Sequence, residues 1–213
     1  EAVAKLRLRR RDCLWRFLLH QQKGVVFVTV KTRRLTHCAL MIALALVLSM
    51  IKLFHLPNGG SVTPASMAPI ILISLMYEPK WAFFTSFAYS LVQMVEGFYP
   101  PPVQTFGNFV LVILLDYVLA FGALGVAGTV ARRFGEKKVL GASVGTITAI
   151  FVRLFCSFLS GVVIWGVYAP EGTPVWLYSL SVNGTVMVGE MITTTVAIAI
   201  LVKLLPLDRF KAQ

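Results

Sequence analysis

From Phe109 to Gly128 every residue is apolar or aromatic except Asp116. A helix of that length crosses the roughly 30 Å hydrocarbon core of a bilayer. A carboxylate is tolerated there only where a bundle interior or a wet cavity receives it, so an intramembrane acid marks a functional site by default. The plain alternative is a structural carboxylate paired with a neighbouring helix, for instance with Arg153. This one stretch fixes the class of the chain and supplies its first candidate residue.

The rest of the composition agrees. Hydrophobic residues make up 57% of the chain and charged residues only 14%. A soluble domain needs a charged exterior to cover such a core, so the expected class is an all-α integral membrane protein. The formal net charge of +11 does not indicate nucleic-acid binding. Half of the basic residues precede Leu35, and most others flank apolar spans, which is the distribution of orientation signals rather than of a binding face. Cys13, Cys38 and Cys156 are widely separated and make no metal-ligand or redox spacing.

Six spans are expected, at about 35–55, 62–77, 80–97, 106–131, 139–168 and 176–204. The second is short and opens on Gly59-Gly-Ser-Val-Thr-Pro64, so part of it is expected to be irregular and to line a cavity. Lys31, Arg33 and Arg34 precede the first span, Lys80 separates the second from the third, and Arg132, Arg133, Lys137 and Lys138 separate the fourth from the fifth. Lys203, Arg209 and Lys211 end the chain. The other connections hold no Lys or Arg. This alternation predicts a six-transmembrane-helix bundle with both termini cytoplasmic. The domain reading is a membrane domain over 35–205, a cytoplasmic tail over 206–213 and a basic extension over 1–34. For that extension two readings stand open: a basic helix on anionic lipid, and translation from upstream of a true start near Val28 or Val30. The second is preferred.

With this topology, Asp116 lies about 15 Å into its span from the outer side, at 1.5 Å per residue. Ser157, Gly161 and Trp165 recur at i, i+4 and i+8 and are expected along one helix face. Tyr178 and Asn183 enter from the same side. An aromatic face attracts a cation or stacks on a flat heterocycle. A desolvated carboxylate takes a cation or donors, and an amide both donates and accepts. An aromatic, cationic or amino-bearing small molecule fits these groups. Trp176 reads as an interfacial aromatic and Glu96 as a solvated span end. Arg153 and Glu190 form either a buried pair or separate contacts, with Arg153 facing Asp116. Ala39 and Ala43, with Ala45, put small residues one turn apart on the first helix, which suits close approach of a partner helix or internal packing.

No phosphate-binding G-x-x-x-x-G-K-[ST], H-E-x-x-H or G-x-S-x-G motif is present. Three function classes stay open on the residues alone: a ligand-binding transport subunit, a secondary transporter with Asp116 carrying a proton, and an intramembrane enzyme using Asp116, Glu96 or Glu190.

The chain resembles the thiamine-specific substrate-binding components of bacterial energy-coupling factor transporters. The similarity runs from about Leu35 to Leu205. It includes Gly59-Gly-Ser-Val, Ala68-Pro-Ile-Ile-Leu-Ile-Ser, Pro102-Val-Gln104, Leu115-Asp-Tyr-Val-Leu-Ala-Phe121 and Gly125-Val-Ala-Gly128. Its most specific part is Ser160-Gly161, Trp165 and the run from Tyr168 to Asn183. The resemblance implies a multi-pass protein of the bacterial plasma membrane that binds thiamine from outside. It also implies no catalytic activity and no cofactor of its own. Its implied partners are the lipid bilayer, a transmembrane coupling protein and two ATPase subunits that use the ATP. The implied ligand contacts are Asp116, Tyr117, Gly161, Trp165, Tyr178 and Asn183, and Ala39 and Ala43 match the family's docking motif. The chain departs from the family pattern at Asp116, where Glu is common, at Ser157, which aligns with a His, and at Gly60, which aligns with a Trp. It also carries extra residues between Gln104 and Asp116.

Overall fold

A computed structural model of the chain describes residues 30–55, 61–205 and 207. Segment 1–29 of the basic extension, and the tail beyond 205 apart from Leu207, lie outside the described residues. The chain divides after His37 into two units. Of the first, the described part is the opening of a helix. The second holds the remainder.

Six helices are described: α1 Val30–Met50, α2 Ala68–Met76, α3 Pro79–Glu96, α4 Phe106–Phe134, α5 Lys138–Val163 and α6 Val175–Leu204. Four of them, α1, α4, α5 and α6, are long and apolar enough to cross a membrane. Large apolar side chains such as Phe83, Phe84, Phe87, Phe151, Phe155, Ile192, Val196 and Ile200 are exposed along α3, α5 and α6. In water such bands would be costly; in lipid they are the solvent-facing surface.

The first expected span is displaced. Its helix starts at Val30 and ends at Met50, and the chain then turns extended where 51–55 was expected to be helical. Phe54–His55 (β1) pairs antiparallel with Ser61–Val62 (β2), Phe54 opposite Val62. The second expected span is helical only from Ala68, as the Gly/Ser/Thr/Pro composition before it suggested. Residues 61–67 bury Thr63, Ser66 and Met67 without forming a helix. Ala65 sits there at φ 60, a left-handed conformation that costs an L-residue about 1–2 kcal/mol. The Ser66 hydroxyl donates to Thr63 Oγ1 at 2.7 Å and helps to hold the bend.

Local chemistry sets the other boundaries. α3 opens with Pro79 in its first turn, where the missing N–H is harmless. Thr105 caps α4 by accepting from Asn108 N at 3.3 Å. Within α4, Ile113–Val118 forms a π-helical turn and Ala123–Gly125 a 3₁₀ turn. α2 crosses α4 at Gly128, where any Cβ would overlap the Ser74 carbonyl. Small residues that let backbones meet are the usual means of helix association in lipid.

Candidate functional site

The site is built at the end of the bundle that carries the connections 97–105 and 164–174. Asp116 comes from the π-helical turn of α4. Ser160 comes from the last turn of α5, and its hydroxyl donates to Asp116 Oδ2 at 2.6 Å. Trp165 Nε1 donates to the same carboxylate oxygen at 3.1 Å and to Ser160 Oγ at 3.2 Å. Two donors, one from α5 and one from the turn after it, thus converge on one oxygen of an α4 carboxylate. Asp116 Oδ1 has no hydrogen-bond partner among the described residues, and it is not among the sealed polar atoms.

Trp165 does not continue the face of Ser157 and Gly161. α5 ends at Val163, Ile164 breaks the helix at φ −112, and Trp165–Tyr168 forms a 3₁₀ turn. The expected i, i+4, i+8 alignment therefore fails at its last member. The change of winding has its own effect. At three residues per turn, i and i+3 eclipse, and the Trp165 and Tyr168 rings stack at 6.3 Å and 19°.

Gly161 and Asn183 mark the crossing of α5 and α6. A Cβ on Gly161 would overlap Ser179 Oγ and lie 3.0 Å from Asn183 Nδ2. Asn183 Nδ2 donates to the Ser179 carbonyl at 3.1 Å and to the Ser157 carbonyl at 3.3 Å. Ser179 Oγ donates to Phe158 O at 2.9 Å. The Ser157 hydroxyl is half-buried and makes no hydrogen bond among the described residues. Tyr178, also half-buried, makes none through its side chain either.

Tyr117 points elsewhere. It is 8% exposed, its hydroxyl donates to Gly97 O at 2.8 Å, and it accepts from Tyr99 N at 3.2 Å. Its ring stacks on Phe98 at 5.7 Å, and Phe98 stacks on Phe109. Tyr117 therefore ties the 97–99 segment to α4, and the described contacts do not bring its hydroxyl to Asp116.

A second polar cluster lies deeper along α5 and α6. Thr63 N and Thr63 Oγ1 both donate to Glu190 Oε1 at 2.6 Å. The Arg153 guanidinium lies 4.0 Å over the Phe121 ring and donates to Met67 Sδ at 2.9 Å. Neither expected pairing of Arg153 forms. Asp116 is held by Ser160 and Trp165, and Glu190 by Thr63, while both acids stay within electrostatic reach of Arg153. Glu96 is exposed and accepts from Ser49 Oγ and Gln93 Nε2, as a solvated span end would.

Ala39 and Ala43 are both exposed on α1, while Ala45 is fully buried. Ser160 is the site residue that sequence reasoning missed as a contributor. The available signal was its position five residues before Trp165 and next to the packing glycine Gly161.

Residues 35–208 match the family model described as thiamine transporter protein. The chain belongs to this family. It is 36% identical over 180 residues to the thiamine transporter ThiT of Bacillus subtilis, covering 79% of this chain and 89% of that one. It is 38% identical over 101 residues to the ThiT of Lacticaseibacillus paracasei, covering 44% of this chain and 50% of that one. A solved structure of ThiT from Listeria monocytogenes superposes with a TM-score of 0.67 at 25% identity, covering 84% of this chain and 98% of the other. Family members are transport proteins and not enzymes, so the intramembrane-enzyme reading falls. The three acids it could have drawn on are also held in three separate contact sets.

Proposed function

We propose that this chain is the membrane-embedded thiamine-capturing subunit of an energy-coupling factor importer. It takes thiamine from outside and presents it to an ATP-driven coupling module. The observation that carries the reading is the convergence of Trp165 and Asp116. An indole and a carboxylate held together, with one carboxylate oxygen still accessible, suit a flat ligand bearing a fixed positive charge. Thiamine combines a thiazolium with an aminopyrimidine. Asp116 would face the charge or an amino donor, and Trp165 would stack. Tyr178, Asn183 and the Ser157 hydroxyl would complete the ligand's polar and aromatic contacts. Gly161 keeps α6 close enough for Asn183 to serve. Tyr117 contributes by fixing the segment beside the site.

The exposed Ala39 and Ala43 form the surface for the transmembrane coupling protein, and two ATPase subunits supply the energy. Both termini face the cytoplasm of a bacterial cell whose plasma membrane holds the 35–205 domain.

Titration of purified protein with thiamine, followed by intrinsic tryptophan fluorescence, tests the ligand. Saturable quenching is expected, lost in Trp165→Ala and weakened in Asp116→Asn. Absence of any response in the unmodified protein rejects thiamine. Replacing Ala39 and Ala43 with Trp is expected to abolish uptake in cells while leaving binding intact. Uptake that survives this change removes that face as the docking surface.

A further inference from the structure

We propose that Ser160 is the positioning residue of the site: it locks Asp116 and Trp165 into one unit and leaves Asp116 Oδ1 as the oxygen for the ligand. The ligand in this statement rests on the thiamine reading above; the lock itself does not.

A serine in an apolar helix normally returns its hydroxyl to its own backbone one turn back. Ser74 does so to Ile71 O at 2.7 Å, and Ser90 does so to Phe87 O at 2.7 Å. Ser160 is 0% exposed, yet its hydroxyl leaves its own helix for a carboxylate forty-four positions away in sequence. A hydroxyl has one hydrogen to give and lone pairs to receive. Ser160 gives its hydrogen to Asp116 and receives the Trp165 indole N–H. The carboxylate and the indole are therefore oriented by the same atom. A hydrogen bond to a charged group in a low-dielectric interior is among the stronger ones.

This arrangement divides the carboxylate. Oδ2 is committed to two internal donors, and Oδ1 has no hydrogen-bond partner among the described residues. An aspartate reaches less far than a glutamate, so its direction matters more. Without the Ser160 hydrogen bond, Oδ2 keeps only the longer indole contact. The side chain gains rotamer freedom that a ligand must then remove.

The test is a double-mutant cycle on the full chain in detergent, read as thiamine affinity by fluorescence. Ser160→Ala alone is expected to weaken binding about tenfold, the lower end of a charge-assisted hydrogen bond. In an Asp116→Ala background the same change is expected to cost about threefold or less, because its partner is already gone. Equal losses in both backgrounds, or no loss in either, overturn the proposal. A second readout needs no ligand. Indole emission responds to hydrogen bonding at its N–H, so Ser160→Ala is expected to shift the emission of the ligand-free protein. The shift should vanish when Trp165 is replaced by Phe. No shift, or one that persists without Trp165, overturns the lock even if thiamine proves not to bind. Should Ser160→Ala fail to fold, Ser160→Cys, a weaker donor of similar size, carries both readouts.

Discussion

Asp116 and Glu190 are both carboxylates inside apolar helices, yet the fold treats them in opposite ways. Asp116 sits half-buried near a helix-rich end, with one oxygen bound and the other accessible. Glu190 is 4% exposed, about 22 Å along α6 at 1.5 Å per residue, and holds a backbone N–H and a hydroxyl of the 61–67 segment. Its second oxygen is sealed and has no partner among the described residues. The first acid keeps bonding capacity unused among the described residues. The second spends its capacity on fixing an irregular segment whose backbone would otherwise be unpaired in a lipid-surrounded interior.

The sharpest way to break this contrast is Glu190→Ala. Two buried donors of Thr63 would lose their acceptor, at 1–3 kcal/mol each, so a stability loss of about 3 kcal/mol is expected. Thermal unfolding in detergent reads it. An unchanged midpoint would mean that Glu190 is not structural. Asp116→Asn should show the reverse pattern. The amide oxygen can still accept from Ser160 and Trp165, so the unfolding midpoint is expected to move little. Thiamine affinity should fall about 30-fold through loss of the charge, near 2 kcal/mol. A large stability loss with unchanged affinity would exchange the two roles.

Smaller changes sharpen the boundary between site and scaffold. Gly161→Ala should push α6 from α5 at Ser179 and cost about 1–2 kcal/mol of stability by overpacking. It should also weaken binding, because Asn183 shares that crossing; unfolding and titration together check it. Tyr117→Phe removes only the hydroxyl contacts to Gly97 and Tyr99, about 1 kcal/mol. It is expected to raise proteolytic or hydrogen-exchange access at 97–99 while affinity changes only a few-fold.

The contrast between the acids was half visible in the sequence. An acid within Phe109–Gly128 stands out on composition alone, and the apolar spans mark α3, α4 and α6 within about three residues and α5 up to its break at Ile164. Trp165 and Asn183 were legible because their residue types are chemically specific. Ser160 was not, since serine is common in membrane helices and nothing local distinguishes one that reaches across from one that bonds back. The break at Ile164 was equally hidden: the run from Ser157 to Trp165 contains no proline, and a uniform 3.6-residue period was the natural expectation. The partner of Glu190 was missed for a different reason. It lies in the 61–67 segment, where no periodicity exists to predict which side chain turns inward.

The π-helical turn at Ile113–Val118 has a consequence for how this chain can change length. In a regular helix, an inserted residue rotates everything after it by about 100°. A π turn holds one residue more than an α turn, so a single deletion there can be absorbed by tightening the turn. The remainder of α4, including Gly128 on its seat against Ser74, keeps its phase. A relative of this chain can therefore lose a residue at this turn without having to rebuild the far half of the helix.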